Sequence, residues 1–117
     1  MGGRRIDPAV CYVPLMDPTY VSISRFRVRN GMEDDVAGAF RARPHLVDHA
    51  PGFVRMEVLS PAEDASEFWL VTYWSDEESF RTWHRGHTFR ESHAYIPKGL
   101  KLDPAATELR GFRFVAS

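Results

Sequence analysis

The sequence predicts an α+β domain of the ferredoxin-like kind, a split βαβ chain folded around an antiparallel sheet. Four stretches rich in β-branched and aromatic residues read as strands, and two intervening stretches repeat their apolar residues at helical spacing. Their order is strand, helix, strand, strand, helix, strand, which is the split βαβ arrangement. A length of 117 residues, with 44% hydrophobic and 26% charged, fits one globular unit. Residues 19–117 are assigned to that domain and 1–18 to an extended arm, since Met1 to Pro18 is proline-rich and shows no sustained period.

The first strand is "YVSISRFRV", Tyr20 to Val28, ended by the turn signal Asn30-Gly31. From Met32 the residues Val36, Ala39, Phe40, Leu46 and Val47 continue one helical stripe, and Glu33, Asp34 and Asp35 suit the positive end of a helix dipole. Pro44 interrupts this helix, so the sequence predicts a kink near Ala42 or a second short helix starting at Pro44. Gly52 supplies the turn out of it. "FVRMEVL" and "EFWLVTYW", Phe53 to Leu59 and Glu67 to Trp74, form a hairpin across the loop "SPAEDAS". Ser75 with Glu78 reads as a capping box before a helix carrying Phe80, Trp83, His84 and His87, closed by Gly86. Thr88 with Glu91 is a second capping pattern, opening a short turn that bears Phe89 and His93. "ELRGFRFVA", Glu108 to Ala116, is the last strand.

Helices cover one sheet face in such a fold. The other is expected to present Ile23 or Ser24, Met56, Leu70 and Phe112, too apolar to stay wet. Packing it against a second copy makes a homodimer the expected assembly.

Composition removes several functions. A formal charge of -1 argues against a general electrostatic grip on nucleic acid or anionic membrane. Cys11 is the lone cysteine, which excludes an intramolecular disulfide and a multi-cysteine metal site. Arg4-Arg5 is followed by Asp7 and Pro8 where a signal peptide needs an apolar stretch, and no run reaches the length of a membrane span, so a cytoplasmic protein is expected. Neither a glycine-rich phosphate loop nor a GxSxG elbow occurs.

The chemistry-bearing stretch is "FRTWHRGHTFRESH", Phe80 to His93. His84 and His87 share the i, i+3 spacing that can aim two imidazoles from one helix face, but neither HExxH nor facial-triad spacing supplies the remaining metal ligands. Those two histidines are therefore expected to face solvent. His93 reads as an iron ligand or a helix-end residue, and Trp83 as a cavity wall or a core residue. Arg85, Arg90 and Lys98 are candidates for pairing with an acidic ligand or for solvated helix charge.

"PGFVRMEVLSP", "FWLVTYWSDEESFRTW" and "FRESH" together resemble the antibiotic biosynthesis monooxygenase (ABM) superfamily, over roughly Tyr20 to Val115. The resemblance implies a dimeric α+β barrel. Trp83 and Phe89, with Glu91 and His93 beyond them, look like the IsdG-type haem-degrading branch. By that likeness His93 holds the haem iron, and Trp83 and Phe89 contact the porphyrin. The branch's asparagine on the first strand, counted back from Phe40, falls on Ser24, which is shorter and offers only a hydroxyl. The resemblance thus implies haem as cofactor and substrate, dioxygen, an external electron donor and a reductase partner, with Ser24 and Trp83 as the catalytic pair. It also leaves open the superfamily's other chemistry, cofactor-independent oxygenation of a quinol-like aromatic, and a non-catalytic dimer binding a small ligand in the barrel cavity.

Overall fold

In the computed structural model the described residues are 17–86 and 96–117. The elements are β1 (Tyr20–Arg27), α1 (Glu33–Arg41), β2 (Phe53–Leu59), β3 (Glu67–Trp74), α2 (Glu77–His84) and β4 (Glu108–Arg113). The strands form one sheet in the order β2-β3-β1-β4, and every neighbouring pair is antiparallel. This is the ferredoxin-like α+β fold that the sequence predicts. The limits of β2 and β3 agree with the sequence reading. β1 ends one residue early because Val28, almost fully buried, leaves the ladder for an isolated bridge to Leu102, and β4 stops at Arg113 rather than Ala116. No helix among the described residues is long and apolar enough to cross a membrane.

The first helix is shorter than its apolar stripe. A residue preceding proline is pushed out of the α region by the proline ring, so α1 has to end ahead of Pro44. It ends at Arg41, and the backbone N–H of Ala42 still reaches the carbonyl of Gly38 at 3.0 Å. Neither of the expected continuations, a kinked helix or a new one starting at Pro44, forms. The chain passes through His45 at φ 59° and only then makes a 3-10 turn, Val47–His49.

The cap of α2 also differs from the expected Ser75–Glu78 box. Ser75 is held at the strand end, its N–H donating to Gly52 O at 2.7 Å and its carbonyl accepting from Thr19 Oγ1 at 2.6 Å. The first residue free to cap is Asp76, extended at φ -159°, ψ 168°, whose Oδ1 accepts from the Ser79 N–H at 2.7 Å. That contact, with the Ser79 hydroxyl beside it, holds the Asp76 carboxyl below the usual carboxylate range. Gly86 closes the helix as expected, its N–H reaching Trp83 O at 2.9 Å.

A bulge settles which side chains face the helices. Phe53 pairs with Trp74 but Arg55, not Val54, pairs with Tyr73, so β2 carries one extra residue there. Phe53 and Met56, three residues apart, consequently lie on the same face. Directly opposed residues share a face, so the rows Ser24–Leu70–Val58 and Ser22–Thr72–Met56 sit beneath the helices, while Ile23–Val71–Glu57 and Val21–Phe112 lie on the outer one. The expected outer set therefore has to be divided: Ser24, Met56 and Leu70 belong to the inner face, Ile23 and Phe112 to the outer.

Two apolar clusters fill the helix side. One centres on Trp74, which is 0% exposed, with Val47, Phe53 and Phe80; the other joins Val28, Val36 and Phe68. Trp74 meets Phe53 and Phe80 edge-on at ring distances of 5.4 and 5.7 Å, contacts worth about 0.5–1.5 kcal/mol each beyond their buried area.

Candidate functional site

A cavity of about 260 Å³ lies between the inner sheet face and α1. β1 contributes Ser24 and Phe26, β2 Met56, β3 Leu70, α1 Val36 and Phe40, and α2 Trp83. Its aromatic end is a packed trio, Phe26 stacked on Phe68 at 5.5 Å with Phe40 tilted against both. Ser24, offered by the sequence for the outer sheet face and named as a site residue only by the resemblance, lies on the inner face and lines the cavity. Trp83 comes to the same cavity from the last turn of α2, its ring 5.7 Å from that of Trp74, so it packs on the core and lines the cavity at once. His93 and Phe89 lie outside the described residues, as do His87, Arg90 and the Thr88–Glu91 capping pattern. His84 stacks on Phe80 at 5.3 Å. Among the described residues no group of His, Cys, Asp and Glu is arranged to hold a metal ion.

Of the cationic candidates named from the sequence, Arg90 lies outside the described residues. Arg85 and Lys98 are exposed and neither borders the cavity. Among the described lining residues Arg43 is the one fixed charge, and His45 stands beside it. Both follow from the early end of α1, since the segment that Pro44 releases from the helix becomes a wall of the cavity. Asp48 ties the two together: Arg43 Nη1 donates to its Oδ1 at 2.9 Å, and His45 Nδ1 lies 3.3 Å from its Oδ2. Burial raises the pKa of Asp48, but the hydrogen bonds and charges of Arg43 and His45 outweigh it and hold the carboxyl below the usual carboxylate range. The left-handed conformation of His45 is the only positive φ outside glycine among the described residues, and it costs on the order of 1–2 kcal/mol. No sequence pattern singled out Arg43 or His45. The available signal was Pro44 itself, a helix breaker flanked by an arginine and a histidine.

A second, more open hollow of about 640 Å³ lies on the outer side of α2, bordered by His49, Asp76, Thr82 and Gly86. Leu46 and Trp83 border both spaces.

An antiparallel split βαβ sheet whose helix face encloses an apolar, tryptophan-lined cavity matches a known class. The antibiotic biosynthesis monooxygenase family profile fits residues 19–95, and the chain belongs to that family. It is 30% identical over 87 residues to the mycobilin-producing heme oxygenase of Mycobacterium tuberculosis, covering 74% of this chain and 78% of that one. It is 26% identical over 76 residues to the staphylobilin-producing heme oxygenase of Staphylococcus saprophyticus, covering 63% of this chain and 72% of that one. Among solved structures it matches the heme degrader MhuD of M. tuberculosis, which has two hemes bound in its active site, with a TM-score of 0.64 and 27% identity over 84% of this chain and 97% of that one. The cofactor-independent oxygenase SnoaB of Streptomyces nogalater superposes with a TM-score of 0.61 over 86% of this chain and 95% of that one; at 19% identity the likeness concerns the fold alone.

Proposed function

We propose that the cavity binds haem and that the chain is a haem-degrading monooxygenase. The observation that carries the reading is the apolar cavity with Trp83 on one wall and Ser24 on another, in a chain related to haem oxygenases. The lining fits the chemistry of the group: hydrocarbon and aromatic surface for the porphyrin faces, and polar atoms confined to a few positions. A volume of about 260 Å³ lies just below the range of roughly 300–1000 Å³ usual for larger ligands, so a porphyrin needs extra room. Leu46 and Trp83, where the outer hollow adjoins, are where that room is to be gained. Bound iron porphyrin would supply both the centre that activates dioxygen and the macrocycle that is oxidised, drawing electrons from an external donor through a reductase.

The chain's own residues act around it. His93 is the proposed iron ligand and Phe89 a porphyrin contact. Trp83, fixed on one side by Trp74, limits where a flat ligand can lie. Ser24 presents a hydroxyl on the cavity wall that would donate one hydrogen bond to a bound ligand. The phenyl rings of Phe26 and Phe40 keep water from that end of the cavity. We further propose a homodimer closed by the outer sheet face, which carries Ile23, Trp69, Val71 and Phe112.

Titrating the apo-protein with haemin while following the Soret band tests the reading. The parent should show saturable one-to-one binding that His93→Ala weakens, and adding reductant under air should bleach the band. Absence of saturable binding, or indifference to His93→Ala, would overturn it; a stable spectrum under reductant would leave a carrier without turnover.

The small size of the cavity supports a second reading, a cofactor-independent oxygenase of a quinol-like aromatic. In that case Ser24 and Trp83 orient a fused-ring substrate that itself reduces oxygen. Oxygen uptake with candidate phenols in metal-free buffer should then exceed the protein-free rate and be insensitive to chelators.

A further inference from the structure

We infer that the hollow on the outer side of α2 is the seat of the chain's own N-terminal arm, residues 1–16. The hollow, of about 640 Å³, has an apolar floor and an acidic border. Leu46, Ala50 and Trp83, each half-buried, supply the floor, and Pro51 continues it. Asp76 and Glu78 stand exposed on the border, which holds no lysine or arginine among the described residues. Asp76 spends Oδ1 on the Ser79 N–H at 2.7 Å, and Arg81 of the same helix is tied to Glu77 at 2.6 Å, so that cation neutralises Glu77 rather than the border pair. A surface of this kind fits a segment that is apolar along its length and net cationic.

The arm has both properties and joins the fold beside this hollow. Thr19 donates its N–H to Trp74 O at 2.9 Å and its Oγ1 to Ser75 O at 2.6 Å, so the chain enters β1 next to the residue that precedes Asp76. Ala9 to Met16, "AVCYVPLM", carries no charge. Extended at about 3.3 Å per residue that run reaches roughly 26 Å, whereas the eight residues of α2 rise about 12 Å, so the arm can lie along the whole helix. Apolar surface of that length gains by leaving water, and the floor of the hollow is what lies within reach. Pro14, without an N–H, breaks a ladder on the open edge of β4, while the hollow asks for apolar contact and no backbone pairing. Arg4 and Arg5 outweigh Asp7, so the arm is cationic where the border is anionic. A ligand that extends past Leu46 and Trp83 then has to displace the arm.

Cys11, the lone cysteine, sits inside the apolar run and accepts a nitroxide label on the full, isotope-labelled chain. With the label oxidised, the backbone amide signals of Ala50, Thr82 and Gly86 should lose intensity against the reduced label, while those of Asp64 and Ser66, at the far end of β3, should keep theirs. A mixture of spin-labelled chain without isotope and isotope-labelled Cys11→Ser chain should show no loss, because the arm serves its own copy. Thr82→Arg, which fills the hollow and adds a cation to its border, should restore the signals of Ala50 and Gly86, and Glu78→Gln should restore them in part. The remaining amide spectrum reports that each variant is folded. Equal intensities with oxidised and reduced label, loss centred on Arg110 and the edge of β4, loss in the mixed sample, or a loss that both variants leave unchanged overturns the assignment. None of these readings involves a porphyrin, so the seat of the arm stands or falls apart from the haem reading.

Discussion

At His45 the cost of a backbone conformation and the shape of the cavity meet in one residue. A β-branched side chain tolerates the left-handed region worse than histidine does, so His45→Val should lower stability by about 1–2 kcal/mol in urea unfolding. His45→Asn, which enters that region more easily and keeps a polar side chain, should be near neutral. Asp48 is the neighbouring titration point. Its pKa is depressed in the folded chain, so its contribution is present above the ordinary carboxylate pKa and is lost as pH falls through the lowered value. The stability gap between parent and Asp48→Asn should be constant near neutrality and close in acid, in unfolding curves carried below pH ~3. Ser24 has a functional prediction. If the haem reading holds, Ser24→Asn supplies the amide that the resemblance expects on β1, and the rate of Soret loss under reductant should rise several-fold. Trp83 was legible as a cavity-wall candidate from its helix stripe, whereas Ser24 came only from the resemblance, the strand pattern leaving it or Ile23 for the outer face. Arg43 was not legible, because its position depends on where α1 stops and which way the released chain turns.

For the elements, the sequence reading was best where period and punctuation agree and weakest at their ends. β2 and β3 were delimited correctly, since Gly52 on one side and the polar loop on the other bracket two runs of β-forming residues. The end of α1 was misplaced because the apolar stripe runs on past the proline, and there the steric demand of Pro44 outranks the stripe. The cap of α2 was misread by one residue because Ser75 was already committed to Gly52 and Thr19, contacts formed across the fold that local sequence does not display. Asp76→Ala should therefore cost about 1 kcal/mol, read as a shift in the urea midpoint, whereas Ser75→Ala should cost clearly less. For Met56 the face assignment failed for a related reason. A single bulge between Phe53 and Arg55 changes the parity of the bulged strand, and no turn residue marks it.

Across the whole molecule, the order of elements was enough to give the topology, because short connections and antiparallel pairing leave few arrangements of strand, helix, strand, strand, helix, strand. The outer sheet face has a character that sequence alone did not show. Arginines lie over its aromatic rings, Arg55 3.7 Å above Tyr73, Arg110 5.0 Å from Phe112 and Arg25 5.8 Å from Trp69. Arg25 also bridges to Glu108 at 3.2 Å. The proposed homodimer would close over this mixed surface rather than over bare hydrocarbon. Its mass by light scattering should be that of two chains, and Ile23→Glu or Leu59→Glu should shift it toward one. A mass of one chain for the parent would rule out the dimer. Among the described residues Leu46 and Trp83 border both the interior space of about 260 Å³ and the hollow of about 640 Å³, so the size of these two side chains bears on both spaces at once.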